Sequence, residues 1–115
     1  MAKGSLVQGV NIPTATTELY QAPTQIAKTL IQKAQFVNSA GVSSITIDVW
    51  ITPDEATTAS EGYKVIDSKE IGINDTYIAT ELISEYVNSG GKIYAESSND
   101  GVYAWINGNT FKTET

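Results

Sequence analysis

The chain has 115 residues, with seven Lys against thirteen Asp and Glu, a formal net charge of -6, and no Cys, His or Arg. Its length suits one domain. The missing residue types exclude an imidazole base, a thiolate nucleophile and a Cys/His metal site, and an acidic chain without Arg is poorly suited to binding nucleic acid.

The N-terminal residues contain no secretory signal, and no apolar run reaches the roughly 20 residues that span a bilayer. We therefore expect a protein made in the cytoplasm that contacts no membrane. One domain is predicted over residues 1–115. Residues 1–15 are expected to form a short arm, and their small and apolar side chains suggest that this arm reaches an adjacent subunit.

Two stretches, 24–39 and 76–88, are ambiguous between helix and strand. Their apolar residues recur at helical spacing, but the chain is rich in β-branched residues, which favour strands. The first set is Ile26, Ala27, Leu30, Ile31, Ala34 and Val37, and the second is Tyr77, Ile78, Leu82, Ile83, Tyr86 and Val87. The residues alone leave both stretches open.

Three segments alternate in the manner of strands that are half buried. In SSITIDVWITP the aliphatic residues face one way, whereas Asp48 and Trp50 face the other. An unpaired carboxylate is too costly to bury, so Asp48 and Trp50 are predicted to face outward. In KIYAESS the same argument predicts that Tyr94 faces outward. In GVYAWI the residues Tyr103 and Trp105 lie on the face opposite the aliphatic residues.

Asn107 and Gly108 form the dipeptide favoured in tight hairpin turns, so the chain either reverses there or continues as one long final strand with a bulge. The local acidic groups are Asp54 and Glu55 with Glu61, and Asn99 with Asp100. Because neither group has the regular spacing of a calcium loop, both are read as solvated loops. We expect no metal, no cofactor and no catalytic residue.

As an ordered set, these segments resemble a family of small β-sandwich proteins from the virions of tailed bacteriophages. The resemblance covers about residues 16–106 and rests on positions that form the fold. They are Leu19, Tyr20, Ala22 and Pro23; Asn38 and Ser39; Pro53; Asn74 and Tyr77; and Gly91, Ile93, Ala95 and Ser97. The chain departs from the pattern at Lys92, where an acidic residue is usual, and in its final NGNTFKTE.

The resemblance implies an antiparallel β-sandwich of about seven strands, in which both ambiguous stretches are largely strand, with a short helical turn within 81–86. It also implies a non-enzymatic virion protein. Our first expectation is a decoration or cement protein that stabilises the head between copies of the major capsid protein, as a homo-oligomer, first of all a trimer. The alternatives are a neck, tail or fibre-associated protein and, from another class, a carbohydrate-binding module.

The candidate interface residues are the four aromatic side chains predicted to face outward: Trp50, Tyr94, Tyr103 and Trp105. Protein interfaces are enriched in Trp and Tyr, and a lone soluble domain exposes little contiguous aromatic area. These side chains therefore indicate a partner surface.

Overall fold

The computed structural model describes residues 2–24, 27–41 and 43–112. Within them the chain forms two antiparallel sheets packed face to face, which confirms the predicted all-β sandwich. One turn of 3₁₀ helix covers Glu61–Tyr63. In the part of the chain described there are nine strands, two more than expected: β1 (Ala2–Asn11), β2 (Thr17–Gln21), β3 (Ala27–Asn38), β4 (Ile45–Ile51), β5 (Lys64–Ile71), β6 (Thr76–Ile78), β7 (Tyr86–Val87), β8 (Lys92–Ser97) and β9 (Val102–Lys112).

The first sheet, sheet I, has the strand order β1-β9-β3-β6, with β7 also paired to β3. Sheet II has the order β2-β8-β4-β5. Strand β1 contains most of the segment expected to be an arm, and it pairs antiparallel with β9 of the same chain. Ala2–Asn11 is therefore a strand of the sandwich itself, and the next residue, Ile12, is fully buried.

The core lies between the sheets and is built from the aliphatic residues that the alternation predicted to face inward. Sheet II contributes Ile45, Ile47 and Val49 of β4 with Ile93 and Ala95 of β8, and sheet I contributes Val102, Ala104 and Ile106 of β9. All eight have no exposed surface. Period-2 patterning thus fixes the inner face of each strand, as expected for a sandwich.

The stretch 24–39, ambiguous in sequence, is strand over the residues of β3, so its helical interpretation is wrong there. The register between β3 and β9 shifts between Ile31 and Lys33, which leaves Gln32 as an extra residue. This β-bulge places Thr29, Ile31, Ala34 and Phe36 on the buried face. The spacing of three across the bulge imitates helical periodicity.

The stretch 76–88 contains two short strands joined by hydrogen-bonded turns. The amide of Leu82 donates to the carbonyl of Ala79 at 3.0 Å, and the amide of Glu85 donates to that of Leu82 at 3.1 Å. Both Ala79 and Leu82 are fully buried, so the connection between β6 and β7, which is hydrogen-bonded to Ala34 and Ile31 of β3, covers one side of the core. The helical turn implied within 81–86 is replaced by these turns.

Asn107 and Gly108 lie inside β9, so of the two courses left open the long final strand forms and the hairpin does not. Gly108 pairs with Gly4 of β1 on one side and with Ile31 of β3 on the other. A Cβ atom on Gly108 would collide with the carbonyl oxygen of Leu30. The residue is glycine because the backbone of β3 approaches it closely.

Asn38 joins the two sheets at one end of the sandwich. It is fully buried at the end of β3, and its Nδ2 donates to the carbonyl oxygens of Ser43 and Ile71, both at 3.0 Å. Its Oδ1 accepts the amide of Ala40 at 3.1 Å. Every polar atom of this buried amide is therefore used, as the cost of burying an unpaired polar group requires.

Candidate functional site

Tyr103 and Trp105 lie on the outer face of sheet I, and their predicted exposure is confirmed. They alternate along β9 with fully buried residues, and each side chain is 39% exposed. Two residues apart on one strand, their Cα atoms are about 6.7 Å from each other. The two rings therefore form one aromatic surface at the centre of the sheet.

The neighbouring strands extend this surface on both sides. Across the sheet, Gln8 of β1, Trp105, Gln35 of β3 and Ile78 of β6 are paired in one row. The next row contains Asn11, Tyr103, Val37 and Thr76. The apolar side chain of Ile78 is 50% exposed. We call this surface the Trp105 face and define it by Tyr103, Trp105, Val37, Ile78, Gln8, Gln35 and Lys33.

The indole of Trp105 rests on the backbone of Gly9. A Cβ atom built on Gly9 would lie 2.9 Å from Cζ2 of the ring, which leaves no room for a side chain. Gly9 also has a φ of 60°, in the left-handed region that favours glycine. The bulge of β1 near Gly9 thus supports the ring of Trp105 from below.

Beside Trp105 the surface contains a depression of about 220 Å³ lined by Lys33, Gln35, Trp105 and Asn107. The other described lysine side chains each contact a carboxylate or an aromatic ring: Lys28 lies over Tyr86, Lys69 over Tyr77, Lys64 near three acidic residues, and Lys92 near Glu18. Lys33 alone among them has neither kind of contact.

The predicted exposure of Trp50 is wrong. The side chain of Trp50 does point away from the core, as predicted, but it is only 7% exposed. The ammonium of Lys64 lies 5.2 Å from the centre of its ring, and the same ammonium is 3.7 Å from Asp48. Lys64 pairs with Trp50 across β4 and β5, so its long side chain covers the indole.

Tyr94 is half-buried and pairs with Trp50 on the outer face of sheet II. The four aromatic residues proposed as an interface therefore lie on opposite sides of the sandwich, and only Tyr103 and Trp105 share an exposed surface. The pKa of the neighbouring Lys92 is raised, because the pull of Tyr94 and Glu18 outweighs the effect of burial. Tyr94 and Lys92 thus belong to a network within sheet II.

The acidic loop at Asp54 has a structural role. Its Oδ1 accepts the amide of Ala56 at 3.1 Å and both the amide and the hydroxyl of Thr57, at 2.9 and 2.7 Å. The hydroxyl bond above all lowers the pKa of Asp54. Asn99 caps its own turn by accepting the amide of Asp100 at 2.9 Å. Within the described residues no three carboxylates are close enough together to hold a metal ion.

Sequence reasoning missed Val37, Ile78, Lys33 and Gln35 as members of the surface. All four lie in the stretches whose secondary structure was ambiguous, so their facing was undefined until β3 and β6 were placed. One sequence signal could have identified two of them. In Gln35-Phe36-Val37, as in Tyr103-Ala104-Trp105, the apolar middle residue is buried and both flanking residues face outward. Only the register between β3 and β9 shows that the two runs lie side by side.

None of the helical structure in the described ranges is long and apolar enough to cross a membrane. Comparisons of the chain with protein-family models, with curated proteins and with solved structures find no match.

Proposed function

We propose that this protein is a non-enzymatic subunit of a protein assembly and that it binds its partner through the Trp105 face. The observation that supports this most directly is the exposure of Tyr103, Trp105 and Ile78 on the outer face of one sheet. Trp and Tyr are enriched at interface hot spots, and the amides of Gln8 and Gln35 provide a polar surround.

The resemblance over residues 16–106 narrows the proposed assembly to the virion of a tailed bacteriophage. Within it we favour a decoration or cement role on the head, with the major capsid protein as the partner. Each bound copy would bury apolar surface between capsid subunits and so raise the free energy needed to open the shell. The first expected oligomeric state is a trimer, which light scattering over a range of concentrations would test. A neck, tail or fibre position differs by a lower copy number per particle.

A carbohydrate-binding module is the second candidate, and the position of Trp105 between Gln8 and Gln35 favours it. An indole can stack on a sugar ring while amides bond its hydroxyl groups. Trp50 and Tyr94 on sheet II are unsuitable for this role because Trp50 is covered. Soluble glycans should quench the emission of Trp105 if this candidate is right, and leave it unchanged if the partner is a protein.

The proposal is tested by adding the purified protein to particles of the phage that encodes it. We expect Trp105→Ala to weaken particle binding by about 30-fold, the effect of losing roughly 2 kcal/mol at a hot spot, and Tyr103→Ala to weaken it by a smaller factor. Tyr63→Ala is the matched control, because Tyr63 is equally exposed, at 38%, just before β5 of sheet II. Equal binding by Trp105→Ala and the wild type would refute this interface.

A further inference from the structure

Charged residues are distributed unevenly over the strands of the two sheets. The strands of sheet I contain four lysines and no carboxylate: Lys3, Lys28, Lys33 and Lys112. All thirteen carboxylates and the other three lysines lie outside these strands. A protein of net charge -6 therefore has one sheet whose strands are purely basic. Among the described residues, carboxylates border this sheet in the segments that connect its strands, such as Asp75 and Asp100.

On the Trp105 face, one of these four lysines, Lys33, lines the depression beside the indole. Lys33 is exposed there, and it makes no salt bridge with any carboxylate in the described part of the chain. The other described lysines, by contrast, lie close to carboxylates or rings of this chain. The amide of Gln35 and the ammonium of Lys33, which both line the depression, are hydrogen-bond donors suited to an anionic group.

We infer that this depression receives a carboxylate side chain from an acidic, partly apolar segment of the partner protein. The inference rests on the proposed function and names the chemistry of its partner. Lys33 would pair with the carboxylate, while Tyr103, Val37 and Ile78 would cover the apolar side chains next to it. Local charge complementarity favours this occupant, because Lys33 makes no ion pair with any described residue and so can pair with a carboxylate of the partner.

A protein segment fits this surface better than a nucleic acid does. Binding to a phosphate backbone uses many cationic contacts, commonly six to ten, and Arg is its most versatile reader. Here one unpaired lysine lies in a broad aromatic and aliphatic surface, an arrangement typical of an apolar interface core with a few charges that set specificity.

The test uses two random copolymers that contain the same share of tyrosine, poly(Glu,Tyr) 4:1 and poly(Lys,Tyr) 4:1. The readout is the protection of Trp105 from acrylamide quenching with excitation at 295 nm, because Trp50 is already buried and contributes a constant background. A Trp105→Phe variant supplies that background. We expect poly(Glu,Tyr) to protect Trp105 and added NaCl to weaken the protection, whereas poly(Lys,Tyr) should bind the acidic sheet II and leave Trp105 accessible.

Charge reversal at one position makes the test specific. Lys33→Glu should weaken binding of poly(Glu,Tyr) by at least about fivefold, since it replaces an attraction with a repulsion at the site. Lys69→Glu changes the net charge equally but lies on β5 of sheet II, so it should change binding by less than about twofold. Thermal melts of both variants check that the fold is intact. Equal losses in the two variants would overturn the inference.

Two other occupants give different results, and either would overturn the inference. Heparin protecting Trp105 as well as poly(Glu,Tyr) does would mean that any polyanion binds, including an acidic glycan. Protection that rises with the concentration of the protein alone would mean that a second copy covers the face. If Trp105→Ala abolishes particle binding while Lys33→Glu does not weaken it, the proposed function stands and only the acidic partner is rejected.

Discussion

Gly108 shows how one residue decides between a turn and a continuous strand. The dipeptide Asn107-Gly108 is typical of a hairpin, yet Gly108 is buried between β1 and β3. Its lack of a side chain lets the carbonyl of Leu30 approach the backbone of β9. The glycine therefore serves close packing between strands, a role that a sequence cannot distinguish from turn formation.

We predict that Gly108→Ala destabilises the protein by about 2 kcal/mol or more, because the new methyl group must displace the backbone of β3. Urea denaturation measures this as a lower midpoint at an unchanged slope. Gly62→Ala is the control, since nothing lies within 4 Å of a Cβ at that position. It should change stability by less than about 0.5 kcal/mol. Equal midpoints for the two variants would contradict the assigned role of Gly108.

Trp50 and Trp105 illustrate what alternation predicts for a single residue. Both face away from the core, as their patterns indicated, but one is 7% and the other 39% exposed. The difference comes from Lys64, which reaches over Trp50 from the next strand. Alternation gives the direction of a side chain, whereas its exposure depends on neighbours that are distant in sequence.

At the level of elements, the hairpin of β4 and β5 is held by a charge cluster around Lys64. Its ammonium is 3.2 Å from Glu61, 3.4 Å from Asp67 and 3.7 Å from Asp48. Burial opposes the charge of Lys64, but these carboxylates outweigh it and raise its pKa. The hydrogen bond from Lys64 is the main reason that the pKa of Asp67 is lowered.

These shifts predict the pH range over which the hairpin is stabilised. The pKa of Asp67 is lower in the folded than in the unfolded chain, so its contribution is present above about pH 4 and is lost as pH falls through the folded value. The raised pKa of Lys64 makes its contribution complete below about pH 10, and rising pH removes it above the folded value. The cluster should therefore be intact between about pH 5 and 9.

The emission of Trp50 in a Trp105→Phe variant measures this directly, because Lys64 covers that indole. We expect a constant emission maximum between about pH 5 and 9 and changes only outside that range. Lys64→Met should alter the emission at neutral pH, since it removes the charge above the ring. If the emission of Trp50 in the Trp105→Phe variant changed with a midpoint near pH 7, a group other than Lys64 or Asp67 would control the surroundings of Trp50.

Strand β3 explains why periodicity was misleading for a whole element. An uninterrupted strand would bury every second residue, but the extra residue Gln32 separates Ile31 from Ala34 by three. A bulge in the middle of a long strand thus produces a spacing that also fits a helix. The partner strand β9 decides the outcome, because it pairs with β3 along nearly its whole length.

The uneven distribution of charge over the two sheets predicts which ions approach Trp105. The net charge of the molecule alone predicts the opposite order of ions. With each ion's quenching divided by its quenching of free N-acetyltryptophanamide, iodide should quench Trp105 more strongly than caesium does, although a protein of charge -6 repels iodide overall. In the Lys33→Glu variant, quenching of Trp105 by iodide should decrease and quenching by caesium should increase. Stern–Volmer plots at equal ionic strength measure both effects. Stronger quenching by caesium in the wild type would show that distant carboxylates dominate the potential at the Trp105 face.

Local patterns in the chain predicted the all-β class, the inner faces of β4 and β8 and, by analogy with them, the face of β9 that turns Tyr103 and Trp105 outward. These features depend on local alternation and on the cost of burying charge, which act over a few residues. The assembled sandwich was needed to define the bulged course of β3, the continuity of β9 at Gly108, the burial of Trp50 and the pairing that places Lys33, Val37 and Ile78 around Trp105. Each of these depends on contacts between residues far apart in the chain, because strand register and side-chain cover are set by the neighbouring strands.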